Sequence, residues 1–449
     1  MSARTRAWPN ARPSARMPVV ALIVLVTVAL LALGAGAQTT TAKPATTEPA
    51  TTKPAHAKPA TTKPGAPTTT AKGGAETVRG VTATTITVGG LGSSALSADA
   101  AVGAKARFDR ANASGGVNGR TINFQGITDD GGTPDTDKAA AEKIAASDIF
   151  AVVPTVASDL AGANDLVNSQ MPYFGWALSS DFCGNGFGFG YSGCIAASGL
   201  TTNMWGKAVK QGFASPNPLG DTAAVLTDNS PAGQYALREV GSGLKAAGLK
   251  VTAAKAILPV PPGGDYTAVL KDVLVSNGGK APRSIFVVGS YSNVTGVQQA
   301  LRDGGYLGTF TNLVQYDPNL VAQASGASVF VQTAPTEAAA NNPAMKQLVA
   351  DVAKTAPDQP VNQSVIAGYL SADMFLAAVQ KAGKDLTIGK LISAANQNFT
   401  YELAGVAGPT RFPGAHASPT PCGSLVRSDG IAFQIVTAYS CGKVVKVSG

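Results

Sequence analysis

The sequence predicts an α/β protein made of two doubly wound parallel sheets, on three observations: a chain of 449 residues, two successive series of short apolar runs alternating with amphipathic stretches, and no internal repeat outside a low-complexity N-terminal tract. With that tract set aside about 370 residues remain, enough for one large or two ordinary cores, and two lobes are expected. In the first series the strands are expected at 85–91, 121–128, 149–153 and 173–175, with helices at 100–112, 135–147 and 160–169 between them. The second series places strands at 222–227, 250–256, 284–289 and 310–315, separated by helices at 234–247, 266–276 and 294–303. Strands alternating with helices in this way read as βαβ units, hence parallel strands covered on both faces. A long helix is expected at 361–381, and from residue 405 onward short strands and Gly/Pro turns read as a return between lobes.

The N-terminal tract has two parts. Residues 1–37 read as an export signal, with Arg4, Arg6, Arg12 and Arg16 ahead of an apolar run at 18–33 and the small residues Ala35, Gly36 and Ala37 at its end. Cleavage after Ala37 is the leading expectation; an uncleaved anchor is the rival, because residues 17–37 are long enough to cross a bilayer. Residues 38–75 repeat Thr, Pro, Ala and Lys and hold nothing able to seed a core, so they read as a disordered stalk with threonines open to O-glycosylation. Residues 1–75 carry nine of the 35 Lys/Arg and, of the 27 acids, only Glu48. The formal charge of +8 therefore belongs to the tail, and the body balances at 26 against 26. A balanced body without a basic stripe excludes a nucleic-acid partner. An extracytoplasmic location is expected, with membrane contact only through the N-terminal segment if it stays uncleaved.

Cys183, Cys194, Cys422 and Cys441 all lie in the body, and an even count in an exported chain implies disulfides. Three connectivities are open; proximity favours Cys183 with Cys194 and Cys422 with Cys441. Enzyme chemistry is poorly represented. His56 falls in the stalk and His416 in a Pro/Gly-rich segment, so no His-based triad or zinc site can be assembled. The glycine-rich run at 184–190 lacks the strand-turn-helix context of a phosphate loop and reads as a surface loop tied by cysteines. Asp129 and Asp130 point to opposite faces if they end a strand, so a turn or capping role ahead of Gly131 and Pro134 is expected. No enzyme, cofactor or metal is expected.

The segment GAKARFDRANASGGVNGRTINFQGITDDGGTPDTDKAAAEKI, residues 103–144, resembles the type I periplasmic solute-binding family that includes branched-chain amino acid receptors. The GGVNG turn, the terminal DD and the Ala-rich helix after the proline carry the resemblance, and QMPYFGWALS, FVVGSYSN and GPTRF extend it from residue 85 to about 412. It implies the periplasmic binding protein type I fold: two Rossmann-like lobes joined by a three-segment hinge, closing over a small solute that is handed to an ABC permease. The crossings are expected near 195–199, 329–333 and 408–412. Lobe 1 would then be about 76–196 and 333–408, and lobe 2 about 197–332 and 409–449.

The resemblance implies solute contacts from Thr155, Ala157 and Ser158 where the third strand enters its helix, with Ser158 as the hydroxyl for a carboxylate. The competing role for Ser158 is capping that helix. Trp176, Ala177 and Ser179 follow the fourth strand, and Tyr291 and Gln315 come from the second lobe. The chain departs from the family pattern in placing Leu96 and Ala232 where relatives have tyrosines. The expected acidic partner of a ligand ammonium falls near Val314 and Gln315, with Asp317 the nearest carboxylate. A buried ammonium without a carboxylate is costly, so an amide or a small aromatic is as well matched as an amino acid. A sensory or interaction domain on the same stalk is the alternative use of this fold.

Overall fold

The computed structural model describes residues 77–195, 199–213, 220–259 and 262–448; the export segment and the stalk lie outside them. The chain begins with β1 (Thr85–Gly92), α1 (Ser94–Ala113), β2 (Thr121–Asp129), α2 (Pro134–Ala145), β3 (Ala151–Val156), α3 (Ala163–Asn168), β4 (Tyr173–Gly175) and β5 (Gly188–Gly190). These strands form one parallel sheet in the order β2-β1-β3-β4-β5. The turn between α1 and β2 shows why the GGVNG motif is what it is. Gly115, Gly116, Asn118 and Gly119 all have positive φ, and the Asn112 side chain clamps the backbone of Ile122 with both its donor and its acceptor. Thr133 closes a capping box on α2, with Pro134 at its first position.

A second series follows: β6 (Leu200–Thr202), α4 (Met204–Gln211), β7 (Thr222–Asp228), α5 (Pro231–Ala246), β8 (Lys250–Leu258), α6 (Tyr266–Leu270), β9 (Ser284–Val288), α7 (Tyr291–Asp303), β10 (Thr309–Asn312) and β11 (Ala327–Val331). The chain then forms α8 (Pro343–Thr355), α9 (Gln363–Ala382), α10 (Ile388–Asn396), β12 (Phe399–Leu403), β13 (Ala407–Phe412), β14 (Cys422–Ser428), β15 (Phe433–Cys441) and β16 (Val444–Lys446). The second sheet runs β15-β14-β11-β10-β9-β7-β8, parallel except for β14 and β15. β16 pairs with β6.

Each sheet is covered on both faces, as the rhythm predicts. In the first, α1 and α9 pack on one face through Phe108, Phe150, Phe174 and Phe375, and α2 and α3 cover the other through Ala141, Ile144 and Leu166. In the second, Trp205 of α4 and Leu244 of α5 meet Phe286 and Phe330, while Val294 and Leu301 of α7 cover the opposite face. The α1/α9 pair approaches with backbones nearly touching: a Cβ on Gly103 would strike the Val365 carbonyl, and one on Gly368 the Ala100 carbonyl.

The chain passes between the sheets three times: after β5, after β11 and after β13. The third passage follows Phe412 rather than occupying 408–412, because β13 is held antiparallel against β12 beside the first sheet. The first and third passages lie side by side. Gly193 forms an antiparallel bridge with Pro419, the Cys194 amide donates to the carbonyls of Ala415 (2.8 Å) and Ser418 (3.1 Å), and the Thr420 amide donates to Ser192 (2.8 Å). Both disulfides expected from proximity are formed, Cys183–Cys194 and Cys422–Cys441, the second across the registered pair of β14 and β15.

The glycine run at 184–190 is not wholly a surface loop. Its second half is β5, a fully buried edge strand whose Gly188 and Gly190 leave room for the Tyr173 ring and Ala177. His416 is a core residue, packed against Phe189 and Phe412 and hydrogen-bonded to Asn396 at 2.7 Å; burial lowers its pKa.

Candidate functional site

In a doubly wound sheet the ligand side is the C-terminal edge of the strands, at the point where the strand order reverses. The order of the first sheet puts that point between β1 and β3; in the second it lies between β9 and β7. In the first sheet Gly92 aligns with Asp129 on one side and Val156 on the other, and Thr155 aligns with Gly175 of β4. Six of the expected site residues are thereby brought to one edge: Thr155, Ala157, Ser158, Trp176, Ala177 and Ser179.

Their surroundings differ. Ser158 is exposed and makes no side-chain hydrogen bond among the described residues. Its competing role is excluded, because α3 begins at Ala163 with Gly162 at its cap. Thr155 is fully buried and its hydroxyl has no partner among the described residues. Ala157 and Ala177 are fully buried, backbone included. The Ser179 hydroxyl donates to Asp181 and caps the short turn after it.

The second sheet contributes through helix starts. Ser290 caps α7 by accepting from the Asn293 amide, and Tyr291, the first helical residue, is 38% exposed. Ser230 caps α5 in the same way. Gln315 is placed differently: it is fully buried, its amide nitrogen donates to Gln298 (2.8 Å) and its oxygen accepts from Asn312 (2.7 Å). Both ends of its amide are thus engaged inside the second lobe. Asp317 is also engaged.

Two hydrogen bonds join the C-terminal edges of the two sheets. Trp176 Nε1 donates to Gln332 Oε1 at 2.8 Å, just after β11. Asn362, at the cap of α9, donates to Asp99 of α1 (2.6 Å) and to Asp317 beyond β10 (3.0 Å). The edges therefore approach each other at these two places.

Carboxylates surround the first-lobe edge. Asp129 and Asp130 accept from the amides of Gly131 and Gly132, as a turn role requires. Burial raises the pKa of Asp130, and the neighbouring charges of Asp129 and Asp159 add to it. Asp137 of α2 accepts from the Gly162 amide at 2.9 Å. Burial pushes it up to about 6, helped by Asp130, Asp159 and Asp181. The sequence singled out only the adjacent pair; Asp137, Asp159 and Asp181 share no local pattern and are gathered by topology. A separate surface cavity of about 350 Å³ opens between α1 and α9, but its Arg107 and Arg110 are already paired with Asp373 and Asp351.

A family model for periplasmic binding proteins matches residues 83–431. The chain belongs to the periplasmic binding protein family. Among solved structures, a possible leucine/isoleucine/valine-binding protein from Rhodopirellula baltica SH 1 aligns with 15% identity and a TM-score of 0.61, covering 80% of this chain and 98% of its own. A fatty acid ABC transporter substrate-binding protein from Thermomonospora curvata aligns with 19% identity and a TM-score of 0.60, over 82% and 95%. The branched-chain amino acid transporter substrate binding protein LivJ from Streptococcus pneumoniae, in complex with isoleucine, gives 16% and 0.58, over 81% and 99%. At these identities the likeness shows the type I periplasmic binding fold. A comparison with curated proteins finds no significant match. Family and structural neighbours are solute-binding proteins.

Proposed function

We propose that this periplasmic binding protein is an extracytoplasmic receptor that takes up a small solute by closure of its two lobes and delivers it to an ABC-type importer. The observation that carries the reading is the meeting of two C-terminal sheet edges, joined by three chain passages, in a chain of this family. Solute contacts are assigned to the backbone of Ala157 and Ala177, the hydroxyls of Thr155, Ser158 and Ser179, and the rings of Trp176 and Tyr291. The solute is an amino acid, an amide or a small aromatic. Export through residues 1–37 and a stalk over 38–75 complete the proposal, and N-terminal sequencing of the exported protein tests cleavage after Ala37.

A thermal-shift screen with amino acids, amides and small aromatics tests the central claim. A solute that binds only the folded state raises Tm, by an amount that grows with its concentration over Kd. Silence across the whole screen would sink the receptor reading. The stalk, with no cysteine at its head to take lipid, favours a second use of the same site in sensing; recovery of the intact N-terminus in membranes supports it.

A further inference from the structure

Asn362 stands between the lobes with every polar atom of its side chain engaged. Its oxygen accepts from the Val365 amide (3.1 Å) and caps α9, which fixes the other end of the group as the donor. That NH2 has two hydrogens, and both are used. One bond runs to Asp99 of α1 in the first lobe (2.6 Å), the other to Asp317 after β10 in the second (3.0 Å). The residue is 6% exposed. α9 runs alongside α1, with Val365 against Gly103 and Gly368 against Ala100, so its start stands beside the start of α1, at the C-terminal edge of the first sheet.

Asp99 also accepts from Gln359 (3.1 Å), and Asp317 from the Asn319 amide (2.8 Å). Neither carboxylate forms an ion pair with Lys or Arg among the described residues. Two like charges are thus drawn to one neutral amide across the lobe boundary, and the amide is what offsets their repulsion. Two other contacts between the lobes belong to the second passage: Gln332, the partner of Trp176, lies in it, and Thr336 and Glu337, the partners of Tyr316, follow it directly.

We propose that Asn362 is a positioning residue, a latch that ties the start of α9 in the first lobe to the loop after β10 in the second and holds the two ligand edges together without touching the solute. The proposal rests on the reading of these edges as the solute site and adds what keeps them joined. Lobes that swing apart must break this bridge, since it stands on no passage. A solute held by both lobes binds in proportion to the fraction of molecules whose lobes are joined, so the latch sets affinity from outside the site. The test is small-angle X-ray scattering of the exported chain without solute, with far-ultraviolet circular dichroism as the check on folding. Ser and Asp cap helices as Asn does, so Asn362→Ser removes only the bridge, and Asn362→Asp puts a third carboxylate in its place. Both variants are expected to keep the wild-type dichroism and to shift to a larger radius of gyration, Asn362→Asp further than Asn362→Ser. Asn362→Asp combined with Asp317→Asn restores one amide between two carboxylates and is expected to return the radius to the wild-type value, which a role confined to capping α9 does not predict. A wild-type radius in either single variant overturns the latch, as does an increase that the double variant leaves in place; Asn362→Ser decides alone if Asn362→Asp does not fold. Neither result touches the receptor reading, which stands or falls on the solute screen.

Discussion

Glu239 offers the sharpest test of the second lobe's interior. It lies on α5 against β6, buried, and its carboxylate accepts one long hydrogen bond from the Thr201 hydroxyl (3.4 Å), which in turn accepts from Trp205 Nε1. Burial pushes its pKa from 4.5 up to about 8, with the Thr201 bond pulling slightly the other way. The fold therefore favours the protonated acid, while the unfolded chain ionises it freely. As far as this residue is concerned, stability is complete below about pH 4.5, falls as pH rises toward about 8, and is constant above that. At 1.36 kcal/mol for each tenfold change in proton affinity, the loss is ~5 kcal/mol when fully expressed and ~3 kcal/mol at pH 7. Glu239→Gln preserves shape and removes ionisation, so it should stabilise the protein by ~3 kcal/mol at pH 7 and by almost nothing at pH 4.5. Urea unfolding of both proteins from pH 4.5 to 8.5 measures the difference, in which every other titrating group cancels. A difference that stays flat across this range would mean that Glu239 is solvated or paired, and the reasoning would be refuted.

Four further outcomes are expected. Gly368→Ala should cost about 1–3 kcal/mol in urea unfolding, because the new methyl meets the Ala100 carbonyl; no loss would show that α1 and α9 can part freely. Phe375→Ala should cost about 3–5 kcal/mol, since the ring contacts Phe108, Phe150 and Phe174 at once; a loss under 1 kcal/mol would contradict that packing. Replacing Cys422 and Cys441 together by serine should cost about 3 kcal/mol for a bond spanning 19 positions, measured by unfolding without reductant; equal stability would count against the bond's formation. Ser158→Ala should leave Tm unchanged and weaken the solute found by screening by about 0.5–1.5 kcal/mol; unaltered affinity removes Ser158 from the site.

The architecture was legible where local chemistry repeats. The β1-α1-β2-α2 stretch announces itself through an apolar strand, a helix ended by two glycines and a proline-led helix, and the same grammar recurs from β7 to β10. It failed where glycine or brevity hides the pattern. β5 has three residues, two of them glycine, and owes its place to the neighbouring strand and the Tyr173 ring rather than to any propensity of its own. The family resemblance placed a passage at 408–412, yet β12 captures this stretch as β13. Ser158 and Tyr291 stand at edges set by topology, so strand order alone places them. Gln315 is held by Asn312 and Gln298, partners that no spacing in the sequence discloses. Asp159 and Asp181 come within electrostatic range of Asp137 only after folding.

The side-by-side passages carry a mechanical consequence. Cys194 fastens the strip of chain at 192–195 to the loop of the first lobe, and Cys422 fastens its companion at 418–421 to the outer strands of the second. The two halves of the molecule are thus riveted to opposite margins of one narrow ribbon. In the hinge closure proposed above, both ends of the ribbon would stay fixed to their own halves, leaving the bend to the short stretches between the two disulfides.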